Sequence, residues 1–307
     1  MKETAFIFPG QGSQSMGMGK ELFENFKVAR GVFEEADDAL HFAISALCFQ
    51  GPEDALKLTE NTQPAILTTS VAVLRVLQTE KGMRPSLTAG HSLGEYSALV
   101  ASGAVQFADA VRTVRLRGKF MQEAVPVGEG AMAAILGMER EQVENLCREE
   151  ASGEVLSPAN FNCPGQIVIS GHAKAVGRAI ERAKQEGKKA VLLPVSAPFH
   201  SPLMEPAGLR LEKELEKISI RDLSVPVVTN VEAEPNVSKD RVQGLLVAQV
   251  SSPVRWEESM RKMVEKGIER MIEIGPGKIL TGLMKRIDPG TETFNIEDVK
   301  TLKKLPD

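Results

Sequence analysis

A serine flanked by glycines at the spacing G-x-S-x-G is the feature of this chain best suited to covalent chemistry. Ser92 stands at the centre of that motif, between Gly90 and Gly94. Glycines on both sides let the backbone turn sharply from a strand into a helix, which exposes the serine hydroxyl at the strand end. The motif therefore predicts a nucleophile that attacks a carbonyl carbon. A glycine-bounded turn that merely contains a serine is the alternative.

A serine hydroxyl needs a base, and histidine is the side chain that removes its proton best near neutral pH. His200 lies in a loop between Pro198 and Pro202, where the chain is predicted to return from one domain to another. A loop histidine at a domain junction is the best candidate base, with a structural role as the alternative. The other histidines are assigned to a helix, to the turn beside Ser92 and to a helix start: His41, His91 and His172. No Asp or Glu stands out as a third member, so a backbone carbonyl could orient the imidazole instead.

Two further features could bind negative charge. The loop over residues 9–14 follows an apolar strand and is rich in exposed backbone amides. It is not a phosphate-binding P-loop, because the lysine of that motif is missing, and it is not a dinucleotide-binding loop, because Ser15 stands at the third glycine position. A predicted helix over residues 107–121 carries Arg115 and Arg117 along the two borders of its apolar stripe. Either arginine could reach over the buried face, and either could be a surface arginine whose aliphatic part covers apolar surface.

The elements that must position these residues follow an α/β pattern. Predicted strands and helices of a large domain cover residues 84–89, 225–229 and 270–274 (strands) and 21–40, 64–77 and 95–101 (helices). Residues 130–195 follow the order strand-helix-strand-strand-helix-strand of a ferredoxin-like domain. We therefore predict an α/β-hydrolase-like domain with a parallel sheet core (residues 1–127 and 197–307) and an inserted ferredoxin-like domain (128–196), with the active site at their junction. The tail after Asp288 is predicted to be loosely ordered.

Composition narrows the class of protein. The chain has 307 residues, 42% of them hydrophobic, and a formal net charge of −4, which gives no global basic field for nucleic acid. Its 3 cysteines, Cys48, Cys147 and Cys163, are widely spaced, so neither a disulfide framework nor a zinc site is predicted. No membrane segment or secretory signal is visible. We expect a cytoplasmic protein and a monomer.

Motifs along nearly the whole chain resemble those of the malonyl-CoA:acyl-carrier-protein transacylases of bacterial type II fatty acid synthesis. The motifs that carry the resemblance are residues 8–14, 62–65, 90–96, 115–118, 160–162 with 164–166, 195–200, Gln249 with 253–256, and 273–277. The resemblance implies that Ser92 is the nucleophile, His200 the base, and Arg117 rather than Arg115 the clamp for a carboxylate. It also implies that the backbone carbonyl of Gln249 orients His200 in place of an acid.

The resemblance further implies the reaction. A malonyl group would pass from coenzyme A to Ser92 and then to the phosphopantetheine thiol of acyl carrier protein, in a ping-pong mechanism without a resident cofactor or metal. The N–H groups of Leu93 and Gln11 would stabilise the oxyanion. A serine thioesterase or hydrolase, and a non-catalytic subunit that binds carrier protein, are the alternatives. A basic docking surface for the acidic carrier protein is expected, with Lys188-Lys189 and Lys285-Arg286 as candidates.

Overall fold

Two sheets organise the chain, which a computed structural model describes over residues 2–195 and 197–306. In chain order the strands are β1 Thr4–Phe8, β2 Leu87–Gly90, β3 Gly130–Leu136, β4 Leu156–Cys163, β5 Gln166–His172, β6 Lys189–Leu192, β7 Val227–Val228, β8 Pro235–Asn236, β9 Arg270–Ile274 and β10 Glu292–Ile296. The larger sheet has the order β10-β9-β1-β2-β7-β8 and is parallel except for its β7–β8 pair. The smaller sheet has the order β4-β5-β3-β6 and is antiparallel.

Helices cover the larger sheet and also pack on the smaller one. In chain order they are α1 Lys20–Asn25, α2 Lys27–Leu40, α3 Ile44–Gln50, α4 Glu53–Lys57, α5 Thr59–Lys81, α6 Gly94–Ala101, α7 Phe107–Glu123, α8 Arg140–Glu150, α9 Ala173–Gln185, α10 Glu205–Leu215, α11 Lys239–Ser251, α12 Trp256–Glu265, α13 Ile279–Ile287 and α14 Val299–Lys304. Every residue of β1 is buried, as expected for a parallel strand covered on both faces. The predicted mixed α/β fold, with a parallel sheet and a second small sheet, is confirmed.

The small sheet matches the ferredoxin-like order predicted from its sequence, because β3 and β5 lie at the centre and β6 and β4 at the edges. Its edge strand β4 is hydrogen-bonded to Val254, in the segment just before α12. Val254 N donates to Ala159 O at 2.8 Å, and Phe161 N donates to Val254 O at 2.9 Å. The predicted domain limits at Met1, Ser196 and Asp307 lie outside the described residues, and the division at 128–196 stays a prediction.

The single helix predicted over residues 21–40 is wrong, because the backbone of Phe26 is extended (φ −126°, ψ 121°) and separates α1 from α2. The break allows the rings of Phe23 and Phe33 to meet with centroids 6.0 Å apart. Ten residues of continuous helix would separate those positions by about 15 Å along the axis. Packing of aromatic rings therefore overrides the helical periodicity.

A helix start and the C-terminal tail also differ from the prediction. The helix predicted to begin at Pro64 begins at Thr59, because the Leu58 carbonyl accepts N–H bonds from Asn61 and Thr62, both at 2.8 Å. The tail predicted to be loosely ordered forms β10 and α14, since β10 pairs in parallel with β9. Over the described ranges, no helix combines the length and the apolar character that crossing a bilayer requires.

Candidate active site

The turn at Ser92 has the sharp geometry that the glycine spacing predicts. Ser92 has a φ of 52°, in the left-handed region that non-glycine residues seldom adopt. A Cβ atom on Gly90 would lie 1.9 Å from the carbonyl carbon of Gly94, and one on Gly94 would lie 2.3 Å from Phe8 O. Both positions therefore require glycine, and the turn presents the Ser92 hydroxyl at the carboxyl end of β2, where α6 begins.

His200 lies directly against the serine. Its Nε2 atom is 2.8 Å from Ser92 Oγ, and its Nδ1 atom is 2.9 Å from the backbone oxygen of Gln249. A carbonyl oxygen only accepts, so Nδ1 carries the proton and Nε2 is left to accept the serine proton. Burial, and second the charge of Arg117, lower the pKa of His200 to about 3. The imidazole is therefore neutral at physiological pH and able to act as a base.

Arg117 brings a buried positive charge to the same point. Its Nη2 atom donates to Ser92 Oγ at 3.1 Å and to Gln249 Oε1 at 3.0 Å, while Nη1 donates to Gln63 Oε1 at 2.8 Å. The side chain is 1% exposed, and burial lowers its pKa. Neutral amide oxygens hold the guanidinium, so its charge has no directly bonded carboxylate among the described residues. Such a group is suited to bind a small anion next to the Ser92 hydroxyl.

Arg115, the other arginine on the border of the apolar stripe, faces a different part of the molecule. Its guanidinium lies 4.4 Å from the ring centroid of Phe42 and donates to Leu40 O at 3.4 Å. Both contacts are with α2 and the segment after it. The sequence periodicity placed the two arginines symmetrically, and the structure turns only Arg117 toward Ser92.

Gln11 and Leu93 line the same pocket as Ser92 and His200. Leu93 follows Ser92 and stands at the N-cap position of α6, where the helix dipole favours negative charge. Across residues 2–195 and 197–306, no protein acceptor is found for either backbone N–H. The pocket also contains apolar side chains that exclude water, namely Met121, Met132, Leu193, Val195 and Phe199.

Three residues that support the site were not singled out from the sequence. Asn230 accepts from Ser92 N at 2.7 Å and donates to Gly90 O at 2.7 Å, which braces the turn from both sides. Glu95 is buried and bonds the Asn230 backbone and the Gln249 side chain. Gln63 bonds Arg117. The sequence offered two signals for them. Asn230 is a polar residue just after strand β7, and Glu95 is an acid in the otherwise apolar start of α6.

The remaining histidines serve other contacts. His91 points away from Ser92, with Nε2 2.9 Å from Asn162 Oδ1 and its ring against Trp256. His172 precedes α9 as predicted, but its Nδ1 accepts from Val155 N at 2.9 Å rather than from the helix. His41 ends α2 in a left-handed conformation. In the described part of the chain, no cluster of three or more His, Cys, Asp or Glu side chains could hold a metal ion.

Comparison with known proteins places this geometry in a family. The acyl transferase domain family matches residues 5–305. The malonyl CoA-acyl carrier protein transacylase of Bacillus subtilis is 52% identical over 99% of this chain and 96% of its own length. The chain belongs to the malonyl CoA-acyl carrier protein transacylase family. The Escherichia coli K12 transacylase of that family is 50% identical over 94% of this chain and 93% of its own length.

Solved structures of the transacylase family have the same fold. An acyl carrier protein S-malonyltransferase from Vibrio cholerae matches with a TM-score of 0.96 and 44% identity, covering 99% of this chain and 100% of its own. A malonyl-transacylase solved in complex with a type II PKS acyl-carrier protein matches with a TM-score of 0.96 and 47% identity, over 98% of both chains. The resemblance inferred from the sequence motifs is thereby confirmed.

Proposed function

We propose that this chain transfers a malonyl group from malonyl-CoA to the phosphopantetheine thiol of acyl carrier protein. The observation that carries the proposal is the placement of two groups on one hydroxyl: His200 Nε2 lies 2.8 Å and Arg117 Nη2 3.1 Å from Ser92 Oγ. A base beside a serine supports acyl transfer in general. A buried cation beside the same serine supports an acyl group that carries its own carboxylate.

The first half-reaction forms a malonyl-serine. His200 Nε2 takes the Ser92 proton as Oγ attacks the thioester carbonyl, and the oxyanion is stabilised by the N–H groups of Leu93 and Gln11. Collapse of the tetrahedral intermediate breaks the carbon–sulfur bond, and the imidazolium protonates the departing thiolate of coenzyme A. The Gln249 carbonyl, 2.9 Å from His200 Nδ1, stabilises the imidazolium that forms between these steps.

The second half-reaction is its mirror image. The phosphopantetheine thiol of the carrier protein enters, gives its proton to His200, and attacks the malonyl-serine ester. Collapse returns the proton to Ser92 Oγ and releases the malonyl thioester of the carrier protein. Both steps need only proton transfer and electrostatic stabilisation by side chains and backbone N–H groups, so we propose that the reaction uses no resident metal or cofactor. We also propose that the protein is a monomer and acts in the cytoplasm.

Arg117 determines the donor in this proposal. A planar guanidinium pairs with the free malonyl carboxylate through two parallel hydrogen bonds. An acetyl group has no carboxylate and leaves the buried charge as it is, so the transition state for acetyl transfer lacks an interaction on the order of 2–3 kcal/mol. Malonyl transfer is favoured accordingly.

One residue of each basic pair expected to attract the acidic carrier protein, Lys188 and Arg286, contacts the same two neighbouring turns. Lys188 Nζ donates to Gly137 O at 2.7 Å, Gly137 N donates to Gly165 O at 2.9 Å, and Arg286 Nη2 donates to Pro164 O at 2.7 Å. Arg286 also bonds Gln166, which lines a groove that shares Gln11, His91 and Asn160 with the pocket at Ser92. We propose that the carrier protein docks on this basic rim and extends its arm along the groove.

A panel of malonyl, methylmalonyl and acetyl thioesters, each incubated with and without carrier protein, tests the proposed function. The expected result is a mass increase on Ser92 with malonyl-CoA, stable until carrier protein is added, and malonylated carrier as the product. Rapid release of free malonate without carrier protein would support a hydrolase instead. Absence of any acyl-serine would support a non-catalytic binding subunit.

A further inference from the structure

We propose that Glu95 is a positioning residue of the malonyl site. Its carboxyl group sets the orientation of the Gln249 side-chain amide, and that amide holds Arg117 in place beside Ser92. The inference rests on the proposed malonyl transfer and adds to it a determinant of donor preference that does not touch the acyl group.

Glu95 lies in the first turn of α6, three residues after the nucleophile, and only 2% of it is exposed. One oxygen, Oε2, accepts both of its hydrogen bonds: from Gln249 Nε2 at 2.8 Å and from Asn230 N at 3.0 Å. Burial raises the pKa of Glu95 to about 7. Because both bonds end on one oxygen, the carboxyl group can accept them whether or not its other oxygen carries a proton.

The Gln249 amide has one orientation that satisfies its surroundings. Its Nε2 faces Glu95 Oε2, Ser92 O at 3.1 Å and Asn230 Oδ1 at 3.3 Å, and its Oε1 faces Arg117 Nη2 at 3.0 Å. Rotation of the amide by half a turn would place Gln249 Nε2 against Arg117 Nη2, so that two donors face each other. It would also point the amide oxygen at three acceptors. The acceptors around Nε2 therefore determine that Oε1, and not Nε2, faces Arg117.

Among the three acceptors around Nε2, Glu95 makes the shortest contact. All three also accept a second N–H, since Ser92 O receives Glu95 N at 3.1 Å, Asn230 Oδ1 receives Ser92 N at 2.7 Å and Glu95 Oε2 receives Asn230 N at 3.0 Å, so it is the distance that sets Glu95 apart. Without the carboxyl group at position 95, the preference for the observed amide orientation rests on two longer, shared bonds. Arg117 would then rely on Gln63 Oε1 to hold its guanidinium.

Malonyl and acetyl donors should respond differently to this loss. The malonyl carboxylate needs the guanidinium in position, whereas acetyl transfer uses only Ser92, His200 and the oxyanion N–H groups. A displaced Arg117 therefore lowers malonyl transfer more than acetyl transfer. A defect that merely distorted the turn at Ser92 would lower both to the same extent, because both acyl groups are attached to the same oxygen.

The experiment compares Ser92 acylation by malonyl-CoA and acetyl-CoA in Glu95→Leu, Glu95→Gln and Gln249→Met. Glu95→Leu removes the acceptor, and the malonyl-to-acetyl ratio of kcat/KM is expected to fall by about 10- to 100-fold, the range for a lost hydrogen bond to a charged group. Glu95→Gln keeps an oxygen at the Oε2 position and should retain most of the ratio. Gln249→Met keeps the backbone carbonyl used by His200 and should lower the ratio as Glu95→Leu does.

The double variant Glu95→Leu with Gln249→Met tests whether Glu95 acts through Gln249. If it does, the double variant has the donor ratio of Gln249→Met alone, whereas independent sites would multiply their effects. Glu273→Leu is the matched control, because Glu273 is another buried carboxyl that accepts two backbone N–H bonds, from Leu280 and Thr281. It should lower the melting temperature and leave the donor ratio unchanged.

Equal loss of malonyl and acetyl transfer in Glu95→Leu, or multiplied effects in the double variant, would overturn the inference. Circular dichroism tests whether each variant is folded. If Glu95→Leu is not folded, the inference is tested by the donor ratios of Gln249→Met and Glu95→Gln. Failure of the proposed function is a separate outcome, because the unmodified protein would then show no preference for malonyl-CoA.

Discussion

Arg117 Nη2 lies 3.1 Å from Ser92 Oγ, so the cation proposed to select the donor contacts the atom proposed to carry the acyl group. In a malonyl-serine the free carboxylate is joined to the ester carbonyl through one methylene group. A guanidinium at this distance can therefore pair with the carboxylate after a small movement. The pairing also explains why the positive charge is buried here, where its hydrogen bonds among the described residues go to amide oxygens and a hydroxyl and the ring centroid of Tyr96 lies 5.8 Å from the guanidinium carbon.

Removal of this charge should abolish the preference for the malonyl donor. Arg117→Ala is expected to lower kcat/KM for malonyl-CoA by roughly 100-fold, because a hydrogen-bonded ion pair with the substrate is lost. Acetyl transfer should stay the same or increase, since a buried charge near the serine is gone. Steady-state kinetics with both donors measure the effect. Arg115→Ala, on the same helix but facing Phe42, is the control and should keep the malonyl preference; full preference in Arg117→Ala would contradict the clamp.

The acid limit of acylation should lie well below the ordinary pKa of histidine. Burial and the nearby Arg117 lower the pKa of His200 from 6.5 to about 3, so the imidazole keeps its acceptor nitrogen as the pH falls through 6. The kcat/KM for malonylation of Ser92, followed by rapid quench and mass spectrometry over roughly pH 4–8, reports the free enzyme.

A second measurement isolates the contribution of Arg117 to that limit. In Arg117→Ala one of the two main causes of the lowered pKa is absent, so the acid limb for acetyl transfer should move to higher pH. An acid limb near pH 6.5 in the unmodified protein, unchanged in the variant, would show that another group limits acylation.

A methyl group at Gly94 should disrupt the turn that presents the Ser92 hydroxyl. Gly94→Ala places a Cβ atom 2.3 Å from Phe8 O, which forces β1 and α6 apart. We expect destabilisation by about 1–3 kcal/mol and loss of most acylation, as measured by chemical denaturation and by trapping the acyl-serine. Gly31→Ala is the control, because nothing lies within 4 Å of its Cβ position in α2, and it should stabilise the protein by about 1 kcal/mol. Normal acylation by Gly94→Ala would contradict the need for glycine.

The stability contributed by Glu273 should depend on pH. Burial raises its pKa from 4.5 to about 7, so between these values the folded state binds the proton more tightly than the unfolded chain does. Its contribution is therefore complete below pH 4.5 and decreases as the pH rises through 7, by on the order of 3 kcal/mol.

Glu273→Gln removes this titration. The difference in unfolding free energy between the unmodified protein and the variant should accordingly shrink between about pH 5 and about pH 8. Urea denaturation at both pH values measures it, and Glu95 titrates in both proteins and cancels. A difference that is constant or grows with pH would contradict the raised pKa.

The amino-acid sequence by itself determined the features that depend on neighbouring residues. The glycines around Ser92 specify the sharp turn, because a Cβ at either position would strike backbone atoms within the same strand-turn-helix unit or in the adjacent strand. The alternating strands and helices over residues 130–195 specify the small sheet, since hydrophobic periodicity is a local property. The motifs, taken together, indicated the family.

The motif resemblance implied roles for His200, Arg117 and Gln249, but only the tertiary structure shows which distant groups meet at Ser92. Periodicity placed Arg115 and Arg117 on equivalent borders of α7, and only the packing of that helix directs one toward Ser92 and the other toward Phe42. The contacts of Asn230 and Gln249 with Ser92 join residues 138 and 157 positions apart. Such contacts depend on how whole elements pack, and residue spacing along a chain describes only the geometry within one element.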